Sequence, residues 1–346
     1  MIERVKLIWA FVIGLTLIAG GVSTGTAAEF YRGKTIRIIV GFGPGGGFDT
    51  YSRTVARHLG KHIPGKPSIF IQNKPGAGSL IAANYMYVKA KPDGLTIGHW
   101  VGGLVLSKYL GKKGIQFDPQ KFEWVGAPVR ASAVCALTKA SGITNFDQWL
   151  HAKKPVKIGS SGPGGITDGI PRLLKQILNP PLQIVSGYLG GTASIRLAAE
   201  RGEIDGGCWP WESIKSTWRH ALETGDVNIV VQLLPKKHPE LPDVANLIDY
   251  AKSDTDRQLI NAGIHGPGEM LYSYSLSPGT PKERVKILQV AFMKTMKDPE
   301  FLADAKKSKR DINPVSGEEV TKIVAGYARL NPIVVEKLSS IFIPKL

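Results

Sequence analysis

The chain has 346 residues, a formal net charge of +16, 43% hydrophobic residues and two cysteines. Its basic residues are spread along the sequence and do not alternate with aromatic residues, which disfavours a nucleic acid binder. A positive surface raises the encounter rate with anions, so the charge suits an anionic small molecule. The seven histidines show no metal-ligand spacing, so we expect no metal site.

Residues 1–28 have the three-part pattern of a secretory signal peptide. Arg4 and Lys6 form a basic start, residues 7–18 are an apolar run, and a small-residue stretch ends at Ala28. The apolar run is shorter than the roughly 20 residues that a membrane span requires. We therefore expect export to the periplasm with cleavage near Ala28. No lipid anchor is expected, because no cysteine lies near the cut.

Strand and helix signals alternate along residues 29–346, which is long enough for two domains of roughly 150 residues each. Strand–helix–strand alternation predicts an α/β fold with mostly parallel sheets flanked by helices. The predicted strands are 35–40, 68–71, 95–98, 133–137, 156–159, 182–185, 203–208 and 227–234. The predicted helices are 50–59, 79–89, 146–152, 167–178 and 195–201, with a largely helical segment after 281.

Four glycine-rich loops follow apolar strands, at 41–49, 73–78, 160–165 and 188–191. In open parallel sheets, ligands bind beyond the carboxyl ends of the strands. Helix N-termini present backbone N–H groups that favour an anion, and glycine lets a ligand approach them closely. We expect two loops from each unit to face one another across a cleft and to bind an anion through neutral donors.

The first of these loops also matches the dinucleotide-binding pattern at 41–46, a weak signal when it stands alone. Pro44 removes an N–H group, and the carboxylate of Asp49 would oppose a pyrophosphate. The second strand ends in Asn73 and supplies no acidic residue for a ribose. We therefore expect no cofactor.

For several side chains the sequence is compatible with two different roles. Asp49 either caps a helix, worth about 1 kcal/mol, or reaches a ligand through water, a hydroxyl or an ammonium group. Asn73 serves either a turn or the ligand, and Trp209 either packs in a core or walls the pocket. Cys135 and Cys208 either form a disulfide, which export permits, or remain two buried thiols.

Catalytic motifs are lacking in the sequence. Pro163, between Gly162 and Gly164, stands where a nucleophile elbow has serine. Neither cysteine sits in a reactive motif. The pattern favours binding over catalysis, so no catalytic residue is expected. The alternatives are an exported hydrolase or oxidoreductase on a similar scaffold, and an orphan receptor that senses its ligand.

A series of motifs in order resembles the receptor subunits of tripartite tricarboxylate transporters, the Bug family. It covers nearly all of residues 29–346. The motifs lie at 38–53, 73–78, 90–96, 157–162, 188–191, 202–205, 241–244 and 277–281.

The resemblance implies a periplasmic binding protein of the two-lobe, type II-like kind, with a hinged cleft. Lobe 1 would comprise 29–129 plus 270–346 and lobe 2 would comprise 130–269. Such a receptor captures a small organic carboxylate, as a monomer, for the integral-membrane permease subunits of a tripartite transporter. The binding positions carried over by motif are Phe42, Gly45, Gly46, Asp49, Asn73, Gly76, Ala77, Ser160, Ser161, Gly162, Tyr188, Gly190, Gly191 and Asp205.

Some positions depart from the family pattern, all of them in the second unit. Leu189 stands where the family usually has lysine, and Pro163 occupies a position that is often asparagine. Cys208 and Trp209 open an unusual Cys-Trp-Pro-Trp run. Leu189 and Trp209 together suggest an aromatic or longer apolar carboxylate, and Trp209 joins the candidate binding residues.

Overall fold

The computed structural model describes residues 29–162 and 166–343. The predicted signal peptide and its cleavage site lie outside these residues. Within them, no helix combines the length and the apolar character needed to cross a bilayer.

The secondary structure follows the predicted alternation and adds short elements to it. The strands are β1 (Thr35–Val40), β2 (Ser68–Asn73), β3 (Thr96–His99), β4 (Glu123–Ala127), β5 (Ala133–Thr138), β6 (Val156–Ser160), β7 (Leu182–Ser186), β8 (Gly206–Pro210), β9 (Val227–Gln232), β10 (Tyr274–Leu276) and β11 (Val315–Ser316). The α-helices are α1 (Gly47–Leu59), α2 (Leu80–Val88), α3 (Gly103–Tyr109), α4 (Phe146–Leu150), α5 (Ile166–Leu178), α6 (Thr192–Glu200), α7 (Trp211–Thr217), α8 (Arg219–Glu223), α9 (Asp254–Ile260), α10 (Gly266–Glu269), α11 (Lys282–Thr295), α12 (Pro299–Lys307), α13 (Gly317–Tyr327) and α14 (Pro332–Phe342).

Six strands form the sheet of lobe 1, in the order β11-β4-β10-β3-β1-β2. β1 pairs in parallel with β2 and β3, so that Ile38 lies opposite Ile71 on one side and Ile97 on the other. Ile36, Ile38, Ile39 and Val40 are fully buried. This burial explains why the strand reads as a continuous apolar run. β10 and β11 add antiparallel pairs with β3 and β4.

Five strands form the sheet of lobe 2, in the order β7-β6-β8-β5-β9. β6 pairs in parallel with β7 and β8, and β5 runs antiparallel to β8 and β9. Cys135 on β5 lies directly opposite Cys208 on β8, and the two form a disulfide with a Cα–Cα distance of 4.0 Å. The pairing that the sequence left open is therefore resolved as a cross-strand disulfide.

The predicted two-lobe α/β class is confirmed, with sheets that are mixed rather than mostly parallel. The antiparallel strands have a physical cause. β4 follows β3 through the helix α3 and runs in the same direction, but β10, which returns from lobe 2, inserts between them and pairs antiparallel with both. β10 and β11 are also too short to produce a periodic pattern in the sequence.

The chain changes sheet between β4 and β5 and returns between β9 and β10. A π-helix at Asn261–His265 joins α9 to α10 on this return path. The C-terminal helix α14 packs against α5 and α9 as well as against α3. The predicted lobe boundaries remain a prediction, and α14 touches elements of both lobes.

The start of α2 is not stabilised by a side-chain cap. Ser79, the first residue of the helix predicted at 79–89, lies at the N-cap of α2, where it has a positive φ of 70° and makes no side-chain capping bond. Its hydroxyl instead accepts a hydrogen bond from the backbone N–H of Val101 at 3.0 Å. Ser79 thus ties the start of α2 to the end of β3, where Val101 reaches the site described below.

Candidate ligand-binding site

A small cavity of about 30 Å³ lies between the two lobes. This volume has room for about one water molecule. The two lobes lie in close contact around the cavity, with Gly43 against Gly190 and Gly46 against Thr192. The lining from lobe 1 and the return segment is Phe42, Gly46, Gly47, Phe48, Val101 and Tyr272. The lining from lobe 2 is Ser161, Ile166, Thr167, Gly190, Gly191, Thr192 and Pro210.

The first turns of three helices converge on this cavity. α1 contributes Gly47 and Phe48, α5 contributes Ile166 and Thr167, and α6 contributes Thr192. The N-terminus of a helix carries a partial positive charge and N–H groups without intrahelical acceptors. Convergence of three such ends makes the cavity favourable for an anion.

Backbone amides at the cavity divide into two groups. Among the described residues, the N–H groups of Gly46, Gly47, Gly190 and Thr192 donate to no protein acceptor. A second group of loop amides is already engaged by the protein. Gly45 donates to Asp49, Ser161 to Thr167, Gly162 to Ser160, Tyr188 to Ser160 and Gly191 to Tyr188. The loops therefore leave a defined subset of donors for a ligand.

Asp49 organises the loop of lobe 1 and does not line the cavity. Its carboxylate accepts from the backbone N–H of Gly45 at 3.0 Å, from Arg53 Nε at 2.8 Å and from Asn73 Nδ2 at 2.9 Å. Asn73 also donates to the carbonyl of Phe42 at 2.8 Å. Asp49 thus joins the strand end of β2 to the loop after β1. The expected N-cap position belongs to Gly46 instead.

The electrostatics of Asp49 follow from these bonds. Burial raises the pKa of the Asp49 carboxyl, but the hydrogen bonds from Arg53, Gly45 and Asn73 lower it by more, so the pKa lies below its ordinary value of 3.8. A depressed pKa means that Asp49 stabilises the fold at neutral pH, and that this contribution is lost as the pH falls below that ordinary value.

Lobe 2 repeats this arrangement with a residue that the sequence did not single out. Asp168, fully buried in the first turn of α5, accepts from Arg172 Nε at 2.7 Å and from the Ser160 hydroxyl at 3.3 Å. Ser160 in turn accepts from Gly162. Each lobe therefore uses an Asp–Arg pair spaced by four residues to hold a loop at a strand end. That spacing in a first helical turn was a signal available in the sequence.

Glycines allow the lobes to meet closely at the cavity. A Cβ atom on Gly43 would lie 3.3 Å from Gly190 Cα, and one on Gly46 would lie 3.1 Å from Thr192 Oγ1. A Cβ atom on Gly47 would lie 2.7 Å from Ser213 Oγ, on the opposing helix α7. Side chains at these positions would hold the lobes apart, so the glycines permit closure.

The structure brings some predicted binding residues to the cavity and holds others elsewhere. Phe42, Gly46, Ser161, Gly190 and Gly191 line it. The residues that position the loops behind these lining residues are Gly45, Asp49, Asn73, Ser160 and Gly162.

Five predicted residues lie away from the cavity. Gly76 and Ala77 sit in the loop after β2 and do not line it, and neither does Tyr188. Asp205 accepts from the backbone N–H of Lys157 at 2.7 Å, at the opposite end of the lobe 2 sheet. Trp209 is fully buried in a lobe 2 core cluster, and its neighbour in sequence, Pro210, lines the cavity instead.

The remaining lining residues were missed by the sequence analysis. Gly47, Phe48, Thr167 and Thr192 belong to first helical turns, which loop motifs do not mark. Tyr272 comes from the return segment between the lobes and packs against Phe48, with ring centroids 4.7 Å apart. Its position depends on how the two lobes are joined. Val101, Ile166 and Pro210 complete this group.

A polar cluster joins the lobes beside the cavity. Lys215 on α7 donates to Asp311 at 2.6 Å and to Glu240 at 2.7 Å. Asp311 precedes β11 of lobe 1, so this bond crosses between the lobes. Burial lowers the pKa of Lys215, but hydrogen bonds to Asp311 and Glu240 raise it more, so the pKa lies above its ordinary value. In the same cluster, one carboxylate oxygen each of Glu212 and Asp311 and one ring nitrogen of His238 lie within 4.8 Å of one another.

A serine–histidine pair lies in the core beneath α1. Ser52 Oγ and His99 Nδ1 are 2.6 Å apart, and both residues are fully buried. Burial lowers the pKa of His99 to about 3, so the ring is neutral. Neither residue lines the interlobe cavity. The pair therefore packs under the site and does not present a nucleophile to it.

The role of Asp49 leads to a testable prediction. The variant Asp49→Asn keeps the size of the side chain but removes its charge, weakening the bonds to Gly45 and Arg53. We expect the free energy of unfolding to fall by about 1–3 kcal/mol and the amides of 42–48 to exchange faster in hydrogen–deuterium exchange. Arg53→Gln is the control, because the Arg53 side chain is 48% exposed and its loss should have a smaller effect. Equal effects of the two variants would contradict the organising role of Asp49.

No protein-family model matches the chain. Among curated relatives, a UPF0065 protein of Bordetella bronchiseptica is 26% identical over 153 residues, 44% of each chain. BugT of Bordetella pertussis is 35% identical over 86 residues, 25% of this chain and 26% of BugT. The UPF0065 protein in the gbd 5′ region of Cupriavidus necator is 22% identical over 316 residues, 90% and 89% of the two chains. The matches to the first two relatives span less than half of those proteins. These relatives confirm the predicted resemblance to the Bug proteins.

Solved structures share the fold over almost the whole chain. The periplasmic binding protein BugD superposes with a TM-score of 0.71 at 19% identity, covering 90% of this chain and 99% of BugD. A protein of R. palustris solved with adipate gives 0.70 at 21% identity, covering 89% and 98%. MatC of Rhodopseudomonas palustris with bound malate gives 0.68 at 20% identity, covering 88% and 99%. These likenesses confirm the fold of two-lobe periplasmic binding proteins.

Proposed function

We propose that this chain, a relative of the Bug proteins with the fold of the periplasmic binding proteins, is an extracytoplasmic receptor for a small organic carboxylate. It would close its two lobes over the ligand in the periplasm and deliver it to the permease subunits of a tripartite tricarboxylate-type transporter. Residues 1–28 would direct export and be removed near Ala28. The buried disulfide between Cys135 and Cys208 supports an oxidising compartment.

One observation carries the proposal. Helix N-termini from both lobes meet at one cavity, and the amides of Gly46, Gly47, Gly190 and Thr192 donate to no acceptor within residues 29–162 and 166–343. A carboxylate has two acceptor oxygens, so it can accept from donors of both lobes at once. Binding would therefore favour the closed arrangement, which is the property that a receptor of this kind needs.

The side chains around these donors indicate the body of the ligand. Phe42, Phe48 and Tyr272 present aromatic rings, and Ile166 and Pro210 add apolar surface. The exposed Leu189 and the buried Trp209, which suggested an apolar ligand from the sequence, do not line the cavity. We propose that the ligand combines a carboxylate with an apolar body, and that aromatic residues other than Trp209 contact this body.

The small volume of the interlobe cavity sets a further condition on binding. The cavity of about 30 Å³ is smaller than any organic acid requires. The lobes would therefore open about the two connecting segments, admit the ligand and close again with a wider cavity. The bond between Lys215 and Asp311 would hold the lobes together in the closed form.

A thermal-shift screen tests the proposed ligand class. Aliphatic and aromatic mono- and dicarboxylates are added to the purified protein, with the corresponding amides as neutral controls. At about 100 times its Kd, a ligand should stabilise the protein by about 2.7 kcal/mol, which raises the melting temperature by several degrees. The amides should not, because they lack the charge that helix N-termini favour. Equal shifts by acids and amides, or no shift by any carboxylate, would contradict the proposal.

Recovery of the ligand separates the receptor from the alternative of an exported hydrolase or oxidoreductase. A receptor releases the carboxylate unchanged after prolonged incubation, and mass spectrometry of the recovered compound should show no product. Reconstitution with a cognate permease would separate transport from ligand sensing, since only transport moves the carboxylate across the membrane.

A further inference from the structure

A second, larger cavity of about 560 Å³ opens within lobe 2. It lies at the carboxyl end of α6, beside Thr138 at the end of β5 and Val227 at the start of β9. The amino end of α6 lines the interlobe cavity instead, and the two cavities share no lining residue. The volume falls within the range of about 300–1,000 Å³ that is usual for small-molecule sites.

Basic groups outnumber acidic ones around this cavity. Lys139, Arg196 and Arg201 line it together with the carboxylates of Glu200 and Asp226. Glu200 accepts a hydrogen bond from Arg196 at 3.1 Å, which balances one of the cations. Lys139 forms no ion pair within residues 29–162 and 166–343. Arg201 lies 3.9 Å from the carboxylate of Glu203, which is outside the lining, so the Lys139 ammonium is the lining cation most open to an incoming anion.

Two side chains of this lining hold buried donors without acceptors. Within the part of the chain that the structure describes, Nε of Arg196 and the indole Nε1 of Trp218 have no hydrogen-bond partner. Trp218 is only 2% exposed. Buried polar groups are nearly always hydrogen-bonded, so two such donors beside one cavity call for an acceptor from outside the protein. Both N–H groups are covered by neighbouring protein atoms, so a ligand oxygen would reach them only after the side chains rearrange.

We propose that this cavity is a second binding site, for a small organic anion. A carboxylate oxygen would accept from Arg196 and Trp218, and the apolar part of the molecule would pack against Ala199, Ala221 and Val227. The volume is far larger than an inorganic ion needs, and these apolar side chains suit an organic body. The site is separate from the interlobe cavity and does not depend on the function proposed for it.

Benzoate is the probe, and the indole N–H of Trp218 is the reporter. The resonance is followed in ¹H–¹⁵N spectra of the labelled protein during titration, and Trp218→Phe identifies it. We expect a saturable downfield shift of this proton with benzoate, because the indole gains an acceptor, and a much smaller shift with neutral benzamide. An unmoved Trp218 resonance up to the solubility limit of benzoate would overturn the proposal, even if benzoate bound between the lobes.

A matched pair of variants tests the contribution of Arg196. Arg196→Gln removes a lining cation from a helical pair with Glu200, whereas Arg219→Gln removes a cation from the equivalent pair with Glu223 outside the cavity. We expect the Kd reported by Trp218 to rise about tenfold in Arg196→Gln, as for loss of one charge-assisted hydrogen bond, and to stay within about twofold in Arg219→Gln. Equal weakening in both variants would overturn the site, since it would reflect overall charge alone. Lys139→Gln removes the lining cation that forms no ion pair among the described residues and should weaken binding as well. It tests the site independently if Arg196→Gln does not fold.

Discussion

Replacing both Cys135 and Cys208 with alanine is expected to lower the free energy of unfolding by about 4 kcal/mol. The two cysteines are 73 residues apart in sequence, so their disulfide closes a long loop in the unfolded chain. Removing the bond restores the conformational freedom of that loop and favours the unfolded state. Both sulfur atoms lie in fully buried residues between neighbouring strands, so the variant also loses packing in the centre of the lobe 2 sheet.

Thermal and chemical unfolding of the full protein measure this loss of stability. The melting temperature of the double variant should fall by roughly 10 °C, and either single alanine variant should resemble the double one. Wild-type protein that has been unfolded in reductant and kept reduced provides the control, and it should melt close to the variants. A double variant that melts within a degree or so of the oxidised wild type would contradict the prediction.

Replacing Gly43 with valine is expected to weaken carboxylate binding by about 10–100-fold. The Cβ atom would lie 3.3 Å from Gly190 Cα, and the valine methyl groups would extend further into the opposite lobe. Overpacking of this kind costs about 1–3 kcal/mol. Here it destabilises only the closed arrangement of the lobes. The open protein has no such contact, so the variant should fold normally.

Calorimetry with a carboxylate from the thermal-shift screen measures this loss of affinity. Small-angle scattering should show in addition that the ligand no longer compacts the variant. Gly326→Val is the matched control, because a Cβ atom on Gly326 would meet nothing within 4 Å, and its binding should equal that of wild type. Unchanged affinity in Gly43→Val would show that closure does not bring Gly43 against Gly190 in the bound protein.

Much of the fold could be predicted from local patterns. The buried run of β1 and the glycine-rich loop after it were both read correctly, because strand period and backbone freedom are properties of short segments. The helix predicted at 50–59 begins at Gly47, because residues 47–49 continue the glycine-rich loop in the sequence and show no helical periodicity of their own. β10 and β11 had no signal of their own and formed only because neighbouring strands offered them backbone partners.

The sequence predicted only part of the cavity lining. The differences between the predicted and the observed lining residues have physical reasons. Asp205 precedes β8, so it lies at the end of the sheet opposite the cavity, although its motif lies near the loops in sequence. Trp209 stacks on Trp218 with ring centroids 5.4 Å apart, a contact that depends on how α7 packs against the sheet. Tyr272 reaches the cavity from the return segment, far from any glycine-rich loop.

By itself, the sequence determined the α/β alternation, the glycine-rich loops at strand ends and their suitability for an anion. These features arise from residues that are neighbours along the chain. Only the tertiary structure decided that Cys135 pairs with Cys208, that Tyr272 reaches the cavity, and that the glycine-rich loops of the two lobes meet there. Each of these depends on contacts between segments distant in sequence, which strand pairing within a sheet and the packing of one lobe against the other bring about.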